Sequence, residues 1–312
     1  MSNTDTSAPT CKNFVSQAWN DHATNEQAVF DRLPEGIALI GEAGDLAGLA
    51  GLIVHVAGEH LGRWQDGLDL LGELAAHETY DATTQGGQAV LRSQAVLHFC
   101  SEDMDSFAAA LAAGHPQGDL PEASTRARVL AIAAGALAAQ QDLDRSIAAF
   151  NEAIGLLAYG PAKGDPAVRS LAITGNNLAC ELEEKSERSE GEDALLELAA
   201  KTARRFWEQA GTWSNVKAAE YRLCMTYLAL GQPQTALKHA DLALACCDAN
   251  DADESERFFP HEARARAQHA LGDLEAAAAE RAKAAVLLPS FDASWGDYPQ
   301  KALDKLDRLL GS

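Results

Sequence analysis

The chain has 312 residues, 47% of them hydrophobic but only 6% aromatic, and a formal net charge of −21. Such acidity repels the phosphate rows of nucleic acids and anionic membrane surfaces, so neither is an expected partner. No apolar run approaches the ~20 residues that span a bilayer, and the start Met1-Ser2-Asn3-Thr4-Asp5-Thr6 lacks the charged-then-apolar pattern of a signal peptide, so a cytoplasmic location is expected.

In chain order, residues 1–12 are polar and are expected to be a disordered tail, with everything from 13 to 312 in one helical domain. Helical periodicity begins at Phe14, with Ala18 and Trp19 on one face, and Val29, Phe30 and Leu33 continue it. Pro34 is expected to open a new helix, because its fixed φ suits a first turn. Asp45–His60 and Arg63–His77 read as a first antiparallel pair, with Asp45 as N-cap. Gln85–Cys100 with Met104–Ala113 is a degenerate second pair, followed by a loop marked by Gly114, Pro116, Gly118 and Pro121. Glu122–Gln140 with Leu143–Leu157 is a third, closed by a break over 159–166. Pro166–Glu183 with Glu192–Ala210 is a fourth. Val216–Leu230 with Pro233–Ala249 is a fifth, and Glu256–Leu271 with Leu274–Leu288 a sixth. Pro299–Leu310 reads as an amphipathic cap with Ala302, Leu303, Leu306, Leu309 and Leu310 on one side. Alternating β-branched runs are absent, so no strand is expected. Six cysteines (Cys11, Cys100, Cys180, Cys224, Cys246, Cys247) are scattered through apolar patterns, as reduced buried thiols would be.

A tight turn followed by a small-residue helix recurs as LGRWQDGLDLLGEL at 61–74, QQDLDRSIAAFNEAI at 140–154, LGQPQTALKHADLAL at 230–244 and LGDLEAAAAERAKAA at 271–285. Gly62, Gly231 and Gly272 allow positive φ where the first helix ends, and Asp142 and Asp273 are placed to cap the second. Ala236, Ala243, Ala277 and Ala284, with Phe150 and Ala153 in the third pair, are placed to pack against the next unit. These segments resemble the second half of the tetratricopeptide repeat, a helix–turn–helix unit that stacks into a solenoid. The likeness covers about two thirds of the chain. It is good in the fifth and sixth pairs, fair in the first and third, and poor in the second and fourth. Gly231 and Gly272 stand 41 residues apart, more than the ~34 of the standard unit. The fold implied is an all-α, right-handed α-solenoid of about six hairpins with a C-terminal capping helix.

In that family the first helix of each pair lines a concave face. Leu223 and Tyr227 should point into their hairpin, which turns Arg222 toward the groove. The same registration places Arg128, Arg169, Asn176, Arg266 and His269 there. Asn176, Arg222 and Arg266 look like a partial carboxylate clamp of the kind some peptide-binding members use. A competing reading has these cations solvated or paired with neighbours such as Glu220 and Glu262.

Other constellations are weaker. His239 and Cys246 share a helix face but sit roughly 10 Å apart, too far for one metal ion. His55 and His60 are five apart, not at the i, i+4 spacing of a helical zinc site, and read as helix-face or core residues. Gly41, Gly44, Gly48 and Gly51 lack the strand and GK[ST] of a phosphate loop and read as helix-contact glycines. Trp207 and Trp213 read as plugs between repeats. No metal, cofactor or catalytic set is expected. The resemblance implies a binding scaffold or adaptor for a protein or peptide. The alternatives are a small-molecule or signalling-peptide sensor with a closed helical pocket, which a deep pocket with converging Trp and Arg would favour, and an enzyme on a helical toroid.

Overall fold

The structure, a computed structural model, describes residues 10–115, 120–158 and 160–311. Among them are fifteen α-helices and no strand. In order these are α1 (Cys11–Asp21), α2 (Glu26–Ile37), α3 (Asp45–Ile53), α4 (Trp64–Ala76), α5 (Gln85–Cys100), α6 (Met104–Ala113), α7 (Glu122–Ala139), α8 (Leu143–Leu156), α9 (Pro166–Glu184), α10 (Glu190–Ala210), α11 (Trp213–Ala229), α12 (Pro233–Ala249), α13 (Glu254–Ala270), α14 (Leu274–Leu287) and α15 (Tyr298–Leu310). A π-helical segment, Val54–His60, continues α3. The all-α reading of the sequence holds, and all six expected pairs are present.

The chain divides into two compact units, residues 1–167 and 168–312. In the first, α3 packs on α5 and α5 on α7, so the leading helices of successive hairpins form one layer. α6 and α8 pack back on α5 and α7. In the second, α11 packs on α12 and on α13, and α13 on α14. Ala236, Ala240, Ala243 and Cys247 of α12 are fully buried, as are Ala277 and Ala284 of α14, so side chains no larger than a methyl or thiol form the contact ridges. Gly175 shows how close such contacts become: a Cβ there would meet the Ala199 carbonyl oxygen at 2.6 Å. α15 lays Leu303 and Leu306 on Phe258, Ala265 and Ala284, the capping role expected of it.

The hairpin turns share one device. Gly62, Gly231 and Gly272 have φ of 62°, 67° and 82°, as expected. Glu102 and Gln141 occupy the same left-handed position in the second and third hairpins, with φ of 65° and 64°. The second and third hairpins therefore use the same turn without the glycine that announces it.

Some boundaries differ from expectation. α1 begins at Cys11, inside the expected tail, because the Thr10 hydroxyl caps Asn13 N–H and Cys11 is buried. Residues 1–9 of that tail lie outside the described residues, as do 116–119 and Tyr159 of the expected loops. Pro34 does not start a helix but sits inside α2, which runs on to bury Leu33 and Ile37 on one face. The burial of that face outweighs one lost backbone bond. Asp45 is the first residue of α3 rather than its cap, and its carboxylate accepts instead from the N–H groups of Gly41 and Glu42 at 3.0 and 3.2 Å. Asp273 caps Ala276 as expected, whereas Asp142 turns to Arg145 at 3.0 Å. α10, α11 and α13 start two or three residues early, where Ser189, Thr212 and Asp253 stand at their N-caps.

None of the described helices is long and apolar enough to cross a membrane. All six cysteines are free, and burial pushes the thiol of Cys100 up to about 12.

Candidate functional site

Each unit has a hollow lined by the leading helices of its hairpins, as the solenoid reading implies. In the second unit, a groove of about 690 Å³ runs between α9, α11, α13 and α15. Arg222 and Arg266 both line it, and His269 lines the adjoining pocket with Arg266 and Met225. Asn176 sits one turn from Cys180, another groove residue, and donates to its sulfur at 3.8 Å. Arg169 is exposed and lies over the Trp207 ring, 5.4 Å from its centroid. Trp207 thus serves as a platform for Arg169, and Trp213 opens α11; both are half-buried.

The groove arginines carry their own carboxylates. Arg222 is paired with Glu183, which also accepts from the Thr226 hydroxyl at 2.9 Å. Arg266 is paired with Glu262, which accepts from the Tyr221 hydroxyl at 3.2 Å. Burial raises the pKa of both glutamates, and the arginines pull it back. The pairing with Glu262 is as the competing reading of the sequence had it. Arg222 chooses Glu183 instead of Glu220, because Glu220 is held by Arg204 and His239. His239, stacked on Tyr227 at 5.3 Å, is thereby structural.

The first unit holds a different arrangement. A half-open cavity of about 290 Å³ is lined by α1, α3, the π segment, α5 and α7. Arg128 lines it from α7, and Arg92, which sequence reasoning missed, lines it from α5. Trp19 closes one side, and Val96, Val129 and Ile132 give it apolar walls. Gly51 also faces it, and a Cβ there would meet nothing within 4 Å. The glycines read as helix contacts are thus looser than expected: Gly48 meets Val15 only at 3.5 Å. Among the described residues, neither Arg92 nor Arg128 forms an ion pair; Arg92 reaches only the Gly114 carbonyl, at 3.4 Å. Burial and the neighbouring Arg128 charge push Arg92 down to about 10; burial lowers Arg128 as well, against the opposing pull of the nearby Asp165 carboxylate. The one carboxylate in the wall, Glu59, accepts from His55 Nδ1 at 2.8 Å. Arg92 escaped notice because the hairpin of α5 shows no repeat motif in the sequence, so its register was not fixed.

No family model and no curated protein matches the chain. Among solved structures, it is similar to a tetratricopeptide repeat protein from Parabacteroides merdae at 11% identity and a TM-score of 0.35, with 97% of this chain and 99% of that one covered. It is also similar to the tetratricopeptide repeat domain of P58(IPK) at 12% identity and a TM-score of 0.24, covering 96% and 98%. The helical-hairpin architecture stands on the helices described above.

Proposed function

We propose that the chain is a binding module for a protein or peptide partner, anchored by a partner carboxylate in the first unit's cavity. The observation that carries this reading is the pair Arg92 and Arg128. They are half-buried, face one cavity and, among the described residues, form no ion pair, the nearby Asp165 carboxylate being spent on the Ser124 hydroxyl and the Ala167 N–H. Acidic groups are not scarce, since the chain has 46 Asp and Glu against 25 Lys and Arg. Half-buried arginines of the second unit, such as Arg188, Arg204, Arg222, Arg264 and Arg266, have one. Two desolvated like charges are mutually unfavourable, and an incoming anion relieves both. The apolar walls and Trp19 suit a hydrophobic side chain next to that anion, as at a peptide C-terminus. Arg222, Arg266, Asn176 and His269 form a secondary contact surface, where a ligand carboxylate must compete with Glu183 or Glu262. The free, buried thiols fit a cytoplasmic setting.

The test is fluorescence polarisation with a labelled peptide library carrying free C-terminal carboxylates, beside amidated counterparts. Charge-assisted bonds are worth ~1.5–3 kcal/mol, so amidation is expected to weaken the selected binders about tenfold or more. Arg92→Ala with Arg128→Ala removes the binding, and Arg222→Ala leaves most of it. Equal binding of amidated peptides, or an unaffected double variant, overturns the reading. The size of the cavity favours one further reading, a small carboxylate ligand, because about 290 Å³ lies at the lower edge of small-molecule pockets. Competition by free aryl or branched-chain carboxylates at micromolar concentration would select it.

A further inference from the structure

We propose that His22, His55 and His60 form a binding site for a divalent d-block cation, of which zinc is the natural representative. One ring nitrogen from each lies within 4.8 Å of one on each of the others. The Nε2 atoms of His55 and His60 are 3.0 Å apart. Zinc–nitrogen bonds of about 2.0–2.1 Å set tetrahedral ligand atoms roughly 3.3 Å apart. Two of the three nitrogens therefore already stand near chelating distance, and the third has to close by up to about 1.5 Å.

The protons are arranged for ligation. His22 Nδ1 lies 2.7 Å from the Trp19 carbonyl oxygen. A carbonyl only accepts, so Nδ1 carries the hydrogen and Nε2 keeps its lone pair. His55 Nδ1 faces the Glu59 carboxylate at 2.8 Å, which fixes the same tautomer. An outer carboxylate or carbonyl on the far nitrogen is the usual support of a metal-bound histidine, orienting the ring and raising its basicity. With both partners so fixed, the 3.0 Å contact between His55 and His60 is a hydrogen bond donated by His60 Nε2. A cation takes the place of that one proton, with His60 moving its hydrogen to Nδ1.

The backbone explains both the cluster and its invisibility in the sequence. On an α-helix, residues five apart diverge by about 140°. His55 and His60 lie within Val54–His60, where π-helical winding bonds i to i+5 and brings such residues round together. π segments are uncommon and concentrate at functional sites. His22 arrives from the C-cap of α1, so the ligands come from two elements. Trp19 walls the site, its ring 4.7 Å from that of His55 and 5.4 Å from that of His22. Imidazoles favour zinc, copper, nickel and iron, whereas calcium and magnesium prefer oxygen. Three protein ligands leave a fourth position for water or an exogenous group.

The experiment is calorimetric titration of the full chain with zinc chloride alone, paired with the visible spectrum of the cobalt(II) form. One ion per chain is expected, with a tetrahedral cobalt band and no thiolate charge-transfer absorption, which excludes Cys246 and Cys247 as the ligands. His60→Ala, at an exposed position, is expected to fold normally and lower affinity a hundredfold or more, and His22→Ala likewise. Glu59→Gln is expected to lower it about tenfold, the usual effect of removing an outer-shell partner. His77→Ala, outside the cluster, is expected to change nothing. No binding, or binding that survives His60→Ala, overturns the proposal. So does binding indifferent to both His22→Ala and Glu59→Gln, which marks only adventitious surface chelation.

Discussion

At the scale of single residues, two positions separate what the fold needs from what the cavity needs. Gly51 lies in α3 and faces the cavity with open space around its missing Cβ. Glycine costs a helix ~0.5–1 kcal/mol relative to alanine, so a stability-driven sequence has no reason to keep it there. Gly51→Ala is expected to raise stability by up to about that amount, read from the denaturant midpoint. Gly51→Leu is expected to fill the cavity and abolish carboxylate binding while Arg92 and Arg128 stay in place; normal binding by a well-folded Gly51→Leu would place the ligand elsewhere. Gln141 is the converse case. Its φ of 64° puts a side chain where Gly62, Gly231 and Gly272 have none. Left-handed backbone costs an ordinary residue about 1–2 kcal/mol. Gln141→Gly is thus expected to stabilise the third hairpin, by ~0.5–1 kcal/mol after the extra flexibility of glycine in the unfolded chain. An unchanged or lower midpoint would mean that the turn is not the strained element. The same comparison explains why the sequence announced some hairpins and hid others: it displays glycine, whereas the repeat is a backbone angle that Glu102 and Gln141 also adopt.

At the scale of elements, caps and covers carry the testable stability. Ser189 caps α10, and the Glu192 carboxylate accepts from Ser189 N–H at 2.8 Å and from Lys185 at 2.5 Å. Those bonds hold Glu192 at about 2, well below its ordinary 4.5. A depressed carboxylate stabilises the fold fully above its unfolded value and loses that contribution as pH falls toward its folded value. The advantage of the parent over Glu192→Gln should therefore be complete above pH 4.5 and vanish toward pH 2, measured as the difference in unfolding free energy. Ser189→Ala is expected to cost ~1 kcal/mol. Deleting α15 from Tyr298 onward would uncover Phe258, Phe259, Ala265 and Leu288, and aggregation or an earlier melt is expected; an unchanged monomer with the parent's melt would make the helix a free appendage. Nearly all these helices were legible in the sequence, because apolar spacing and turn residues specify them locally. The π segment was not, since a register change leaves no compositional mark, and it concealed the histidine cluster. The groove was legible in its helices but not in its charges. Whether Arg222 meets Glu183 or Glu220 depends on which carboxylate Arg204 and His239 already occupy.

At the scale of the whole molecule, a net charge of −21 surrounds the cavity lined by Arg92 and Arg128, and the net charge and the two arginines act over different ranges. The summed field extends through solvent and is cut off beyond about 10 Å at 0.1 M salt. The arginines act at contact, half-buried, where added ions penetrate poorly. An acidic peptide is thus repelled while it approaches and held once it arrives. Raising salt weakens the repulsion more than the contact, so the association rate of an acidic, carboxylate-ended peptide is expected to rise with ionic strength. This is opposite to the ordinary behaviour of oppositely charged partners. A peptide of the same C-terminal residues with a compensating basic segment should associate faster at low salt and slow down as salt is added. Arg92→Ala with Arg128→Ala should accelerate dissociation and leave the salt slope of association nearly unchanged, since it removes the contact but hardly alters the field. Stopped-flow association between about 20 mM and 500 mM salt distinguishes the two ranges. A rate for the acidic peptide that falls steeply with salt would mean that the local cations dominate the encounter, and that the acidity of the chain does not select among partners.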